Sequence, residues 1–213
     1  MTGNPTAGSS GAGWPTGRAR DGGIDEIPLP GPAAAGRLWL CGKHAIGPDV
    51  EGLLARVGAD GVVCLTERDE LIHRYPEYVA WLDRDERALW RPVHDLSAPP
   101  LAAFTEVVEH VHAGMCAGRS LVVHCGAGIG RAGTLAVGVA LRDGMPLDRA
   151  LAHVAAHRPM AGPEVGEQQH LVDVFAARCA ASGGGPPAGA LRESHPWDPS
   201  RDPQRRGSGD GAR

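Results

Sequence analysis

One cysteine, one arginine and three glycines fall within the seven residues 125–131 of the stretch LVVHCGAGIGRAGT, residues 121–134. An apolar β-branched run leads into a glycine-rich loop, and the loop leads into a helix-forming segment. At such a junction the backbone N–H groups of Gly126, Ala127, Gly128, Ile129 and Gly130 can converge with the helix N-terminus on one anion. Cys125 would sit at the floor of that ring, where the field favours thiolate over thiol. Arg131, opening the helix, can grip two phosphate oxygens at once. A thiolate, a ring of donors and a guanidinium are the parts needed to attack a phosphate monoester, form a phosphocysteine and stabilise the equatorial oxygens of the transition state. Neither a metal nor another cofactor is required. A purely structural reading makes the same stretch a strand–helix turn with a buried, inert cysteine.

His124, Cys125 and Arg131 reproduce the H-C-x5-R signature of the cysteine-based protein tyrosine phosphatase superfamily, with glycines at 128 and 130 as in that family. The resemblance runs over about 36–181. The segment VVCLTERDELIHRYPEY is similar to the small cyclin-dependent-kinase-associated and atypical dual-specificity enzymes. The resemblance implies phosphorylated protein as substrate, with tyrosine or dual specificity. It also implies a general acid on a separate loop about thirty residues before the cysteine. Asp95, in RPVHDLSAPP, stands thirty positions before Cys125; an ordinary loop or capping aspartate is the alternative. Some members use a glutamine after the helix pair to orient the hydrolytic water, and Gln168 fits by its spacing to Phe175, with Gln169 next. His124 would support the loop and its thiolate through hydrogen bonds. The chain departs from the family directly after the arginine, where Ala132 replaces the usual Ser or Thr. Cys64, on a neighbouring strand candidate, could trap an oxidised Cys125. Its neighbour Leu65 must face the other side of the sheet, so only one of the two points at the loop.

Three other readings compete. A phosphatase of phosphoinositides or other small phosphate monoesters would be expected to carry basic residues inside the loop, and positions 126–130 have none. A non-catalytic phosphate-binding module would account for Ala132 but not for Cys125, Asp95 and Arg131 together. Sulfur transfer through a persulfide leaves Asp95 unexplained.

The elements around the loop must hold it rigidly. Apolar runs predict strands over 37–41, 61–66, 88–93 and 121–124. Helical spacing predicts helices over 49–57, part of 67–85, 101–117, 131–142, 147–157 and 164–181. Strands alternating with helices give an α/β fold: a central, mainly parallel sheet flanked by helices on both faces. His153 and His157 share a helix face without further ligands, a pattern of solvated surface more often than of a metal site.

The chain has 213 residues with 42% hydrophobic content, enough for one globular domain. Its 31 glycines and 18 prolines crowd at the ends. Residues 1–35 therefore read as a disordered leader, of which 24–30 could lie along the domain. Residues 36–181 read as the phosphatase domain and 182–213 as a disordered tail, with Trp14 and Trp197 as the only large anchors of the two ends. A net charge of −4, with Lys43 the sole lysine, argues against nucleic acid or an anionic membrane as the main partner. Five cysteines (41, 64, 116, 125, 179) without a C-x-x-C pair argue for a reduced, cytoplasmic setting. The sequence leaves the oligomeric state open.

Overall fold

The structure is a computed structural model and describes residues 23–182. Two central strands carry the architecture, and their sequences explain why. Every residue of Gly61–Cys64 (β3) and Ser120–Cys125 (β5) is buried, as β-branched runs covered on both faces should be. Arg37–Gly42 (β2) lies beside β5, and Ala88–Trp90 (β4) beside β3, all parallel. Ile24–Glu26 (β1) closes the β2 edge antiparallel, giving the order β1-β2-β5-β3-β4.

The pleat sorts side chains into two cores. Leu38, Leu40, Val63, Leu121, Val123 and Cys125 face one side. There they meet four helices: Leu101–Cys116 (α5), Gly130–Arg142 (α6), Leu147–His157 (α7) and Gly166–Ala181 (α8). Phe104 of α5 meets Phe175 of α8 edge-on, with ring centroids 5.3 Å apart. Cys41, Val62, Cys64 and Val122 face the other side. That side is covered by Lys43–Ile46 (α1), Val50–Val57 (α2), Asp69–Ile72 (α3) and Pro76–Leu82 (α4). Asp49 caps α2 by accepting the Gly52 N–H at 2.8 Å, and Gly58 ends it in the left-handed conformation at φ 63°. The α/β reading with helices on both faces is the architecture found.

Three differences matter. The fold begins before residue 36: β1 and a 3-10 turn at Pro32–Ala35 belong to it, and Ile27 and Ala33 are fully buried. Residues 1–22 and 183–213, including Trp14 and Trp197, lie outside the described residues. The helical part of 67–85 is divided into two short helices, because Pro76 starts a new turn. The 88–93 strand is regular only to Trp90. Pro92 has no N–H to give, yet Arg91 and Val93 still donate to Cys64 O and Leu65 O at 2.9 and 3.0 Å.

Candidate active site

The loop 126–129 sits beyond the carboxyl end of β5, the edge of a parallel sheet where ligands bind. Its carbonyl oxygens are all held from outside. Gly126 O accepts from the Lys43 N–H at 3.0 Å. Ala127 O and Gly128 O accept from Arg158 Nη2 and Nε at 2.8 and 2.6 Å. Ile129 O accepts from the N–H groups of Gly133 and Gly162 at 2.8 and 3.3 Å. In a trans peptide the N–H points opposite to the C=O. The N–H groups of residues 127–130 are therefore turned toward the inside of the loop. Gly128 N–H donates to Cys125 Sγ at 3.2 Å, a bond that favours the thiolate. Gly128 needs to be glycine twice over: its φ is 74°, and a Cβ there would meet Cys41 O at 2.3 Å.

Arg131 enters from the first turn of α6 and is only 6% exposed. Glu70 of α3 holds its two terminal nitrogens as a fork, Nη1–Oε1 at 2.6 Å and Nη2–Oε2 at 2.9 Å. Nη1 also donates to Val93 O at 2.8 Å. Burial is the largest influence on the Glu70 carboxyl and would raise its pKa. The hydrogen bonds from Arg131 and the Glu67 N–H, with the charges of Arg131 and Lys43, outweigh it, so the net shift is downward. Asp95 lies in a turn after β4, largely exposed, with Oδ1 3.0 Å from Arg131 Nη2. The turn is sharp: Leu96 adopts φ 56°, an uncommon left-handed conformation for a non-glycine residue. Cys125 and Asp95 thus both lie within electrostatic reach of Arg131.

A family model described as PTP-SAK, Swiss Army Knife protein, DSP-PTPase phosphatase domain, matches residues 36–153, more than half of the chain. The chain belongs to this DSP-PTPase family. Its solved neighbours include Tk-PTP in the active form, 28% identical at a TM-score of 0.54, covering 67% of this chain and 91% of that one. Human DUSP28 is 23% identical at 0.55 and covers 72% and 95%. Kinase associated phosphatase, with its catalytic cysteine replaced by serine, is 19% identical at 0.59 and covers 75% and 96%. No curated protein sequence matches.

The sequence reading singles out three further residues of this DSP-PTPase domain, His124, Gln168 and Cys64. His124 does not reach the sulfur. The pleat sends it to the opposite core, fully buried, with Nε2 2.7 Å from the Tyr78 hydroxyl. Burial pushes its pKa down to about 4. Gln168 is 1% exposed, and its amide makes three hydrogen bonds. Oε1 accepts from the Glu164 N–H at 2.9 Å and the Thr134 hydroxyl at 3.3 Å, while Nε2 donates to Ser97 O at 3.0 Å. It ties the loop that carries Asp95 and Ser97 to α6 and α8. The runner-up Gln169 donates to the Asp173 carboxylate at 2.9 Å on the outside of α8. Cys64 faces away from Cys125, bonded to the Thr66 hydroxyl at 3.0 Å. Leu65 is the neighbour that shares the Cys125 face. Burial pushes the thiols of Cys64 and Cys41 up to about 12, which leaves them unreactive.

Glu70, Arg158 and Glu164 are the site neighbours that the sequence reading missed. The Glu164 carboxylate lies where a side chain on Gly130 would project, against the start of α6, a place the helix dipole favours for negative charge. A buried arginine demands a carboxylate, but nothing in the sequence separates Glu70 from its neighbours Glu67 and Asp69. The His153 and His157 rings lie tilted to each other with centroids 4.3 Å apart, and their nitrogens bond Pro28 O and His153 O. Among the described residues no group of three or more His, Cys, Asp or Glu could hold a metal ion. None of their helices is long and apolar enough to cross a membrane.

Proposed function

We propose that this protein is a cysteine-dependent phosphoprotein phosphatase, of tyrosine or dual specificity, working through a phosphocysteine. The carrying observation is the convergence of Cys125 Sγ, the inward N–H groups of 127–130 and the Arg131–Asp95 contact. A phosphate seated in the loop takes those N–H groups and the inner edge of the Arg131 guanidinium. Glu70 keeps that guanidinium in plane. The incoming anion takes over the place of the Asp95 carboxylate at Nη2, which frees Asp95 to serve the leaving group. Cys125 Sγ attacks phosphorus and forms the S–P bond as the P–O bond to the alcohol breaks. Protonated Asp95 gives its proton to the departing oxygen. Water then attacks the phosphocysteine, Asp95 takes the proton, and the sulfur leaves as thiolate with release of inorganic phosphate.

Protein is favoured over phosphoinositide as substrate because the loop interior at 126–130 carries no basic side chain. One neighbour of 16% identity, PTPMT1, is solved with PI(5)P, so phosphoinositides belong in the same assay. Wild type and Cys125→Ser are tested on phosphopeptides, inositol phosphates and an aryl phosphate. Turnover of phosphopeptides by wild type alone, with anion binding kept by the serine variant, is expected. Near wild-type turnover by Cys125→Ser would remove the cysteine mechanism, and preference for inositol phosphates would replace the substrate class.

A further inference from the structure

Arg158, between α7 and α8, is completely buried. Its guanidinium reaches three parts of the chain at once. Nε and Nη2 hold Gly128 O and Ala127 O of the loop. Nη1 donates to Leu40 O of β2 at 3.3 Å and to Asp25 Oδ2 of β1 at 2.7 Å. Asp25 is itself 8% exposed and stands on the edge strand, 133 residues away in sequence. A buried guanidinium without a carboxylate carries a heavy desolvation cost. Asp25 therefore does more than fill a gap: it lets Arg158 remain charged against the back of the loop. The loop carbonyls at 127 and 128 point outward because Arg158 draws them there. The N–H groups of Gly128 and Ile129, on the far side of those same peptide planes, point inward for that reason. One of them is the donor to Cys125 Sγ. The guanidinium also blocks the alternative in which these planes flip, since a flipped plane would aim an N–H at a cation.

We propose that Asp25 and Arg158 are positioning residues for catalysis, a latch through which the N-terminal edge strand sets the anion affinity of the phosphate loop. The proposal rests on the phosphatase reading for its rate effect but not for its binding effect. Loss of the latch turns two of the four inward donors away from the phosphate. A misplacement of about 1 Å in such a cradle costs about 10²-fold in rate.

The test compares wild type, Asp25→Asn, Asp25→Glu and Arg158→Lys of the full chain. Tungstate binding is measured by calorimetry, turnover of an aryl phosphate by steady-state kinetics and unfolding by circular dichroism. Asn keeps the shape of Asp25 and an acceptor oxygen while removing the charge, so the variant retains its fold. Asp25→Asn should bind tungstate at least about tenfold more weakly and lose about 10²-fold in kcat, well below its melting temperature. Asp25→Glu should recover part of both, and Arg158→Lys should resemble Asp25→Asn. A lower melting temperature with unchanged tungstate affinity and kcat in both Asp25→Asn and Arg158→Lys would reduce the pair to a structural brace and overturn the proposal. A wild type that binds tungstate but hydrolyses no phosphate ester would sink the phosphatase reading alone, and the tungstate comparison would still decide the latch.

Discussion

Ala132 stands directly after Arg131, where a hydroxyl would be placed to donate to the sulfur, and it is fully buried in α6. Thr134 offers no substitute, because its hydroxyl is spent on Gln168. Among the described residues the hydrogen bond to Cys125 Sγ comes from the Gly128 N–H. Attack on phosphate needs a good nucleophile, and a missing donor does not impair that step. Breakdown of the phosphocysteine needs a good leaving group, and there a missing donor is costly. A hydrogen bond to a charged group is worth about 1.5–3 kcal/mol, or about ten- to a hundredfold in rate. Rapid-quench assays should show a burst of product equal to the enzyme concentration, then slow turnover. Ala132→Ser should speed the slow phase and shrink the burst. A linear time course in wild type with no gain in the serine variant would make the first step limiting. Asp95 has a different signature, because a general acid matters most when the departing oxygen is basic. Asp95→Asn should slow alkyl and tyrosyl phosphates by about 10²–10⁴-fold and activated aryl esters much less; equal slowing along a leaving-group series would take Asp95 out of that role.

The unit to which the phosphatase chemistry is assigned is a strand, a loop and a helix, and that unit is legible because it is contiguous. Residues 121–134 declare strand by β-branching, loop by glycine and helix by the apolar residues that continue from Arg131 to Arg142. The long helices α5, α7 and α8 declare themselves by period. Contacts that arrive from far away could not be read. Glu70 meets Arg131 across 61 residues and Asp25 meets Arg158 across 133, and no local pattern in either acidic stretch singles out the one that turns inward. Strand β1 has three residues, two of them acidic, too short and too polar to declare a period. Gln168 is found by spacing, but spacing does not reveal that its amide ties the loop of Asp95 and Ser97 to α6 and α8. Its contacts predict an effect on the loop that carries Asp95. Gln168→Ala unties Ser97 O from α8 and leaves buried polar groups unsatisfied, which costs about 1–3 kcal/mol of stability. Asp95 then loses its placement, and hydrolysis of tyrosyl phosphate should fall about tenfold more than that of an activated aryl ester. A uniform loss together with a larger burst would mean that Gln168 serves the water step after all.

At the scale of the whole molecule the sheet is a partition. Cys125 stands on one face and His124, its neighbour, on the other, so the loop cysteine follows directly on a side chain that belongs to the second core. That histidine titrates. Tyr78 can donate its hydroxyl proton to His124 Nε2 only while the imidazole is neutral, and burial keeps it neutral by pushing its pKa from 6.5 down to about 4. In the unfolded chain the same ring takes up a proton near the ordinary value. Between those two pKa values the unfolded state binds more protons, so stability falls as pH is lowered through this window. One pKa unit corresponds to about 1.4 kcal/mol, so His124 alone should cost about 2 kcal/mol between pH 7 and pH 5. Burial lowers the pKa of His110 and His44 as well, and both add in the same direction. The carboxylates held low by arginine, Glu70 and Glu26, lose their contribution only below about their ordinary value of 4.5, which leaves the range from 7 to 5 to the histidines. Urea unfolding of wild type and His124→Gln across that range separates the His124 share. The variant starts less stable at pH 7 because its Tyr78 contact is changed, but its curve should be flatter, so the gap between the two narrows by about 2 kcal/mol on reaching pH 5. Parallel curves would mean that His124 is protonated in the native state and that its hydrogen bond with Tyr78 runs the other way.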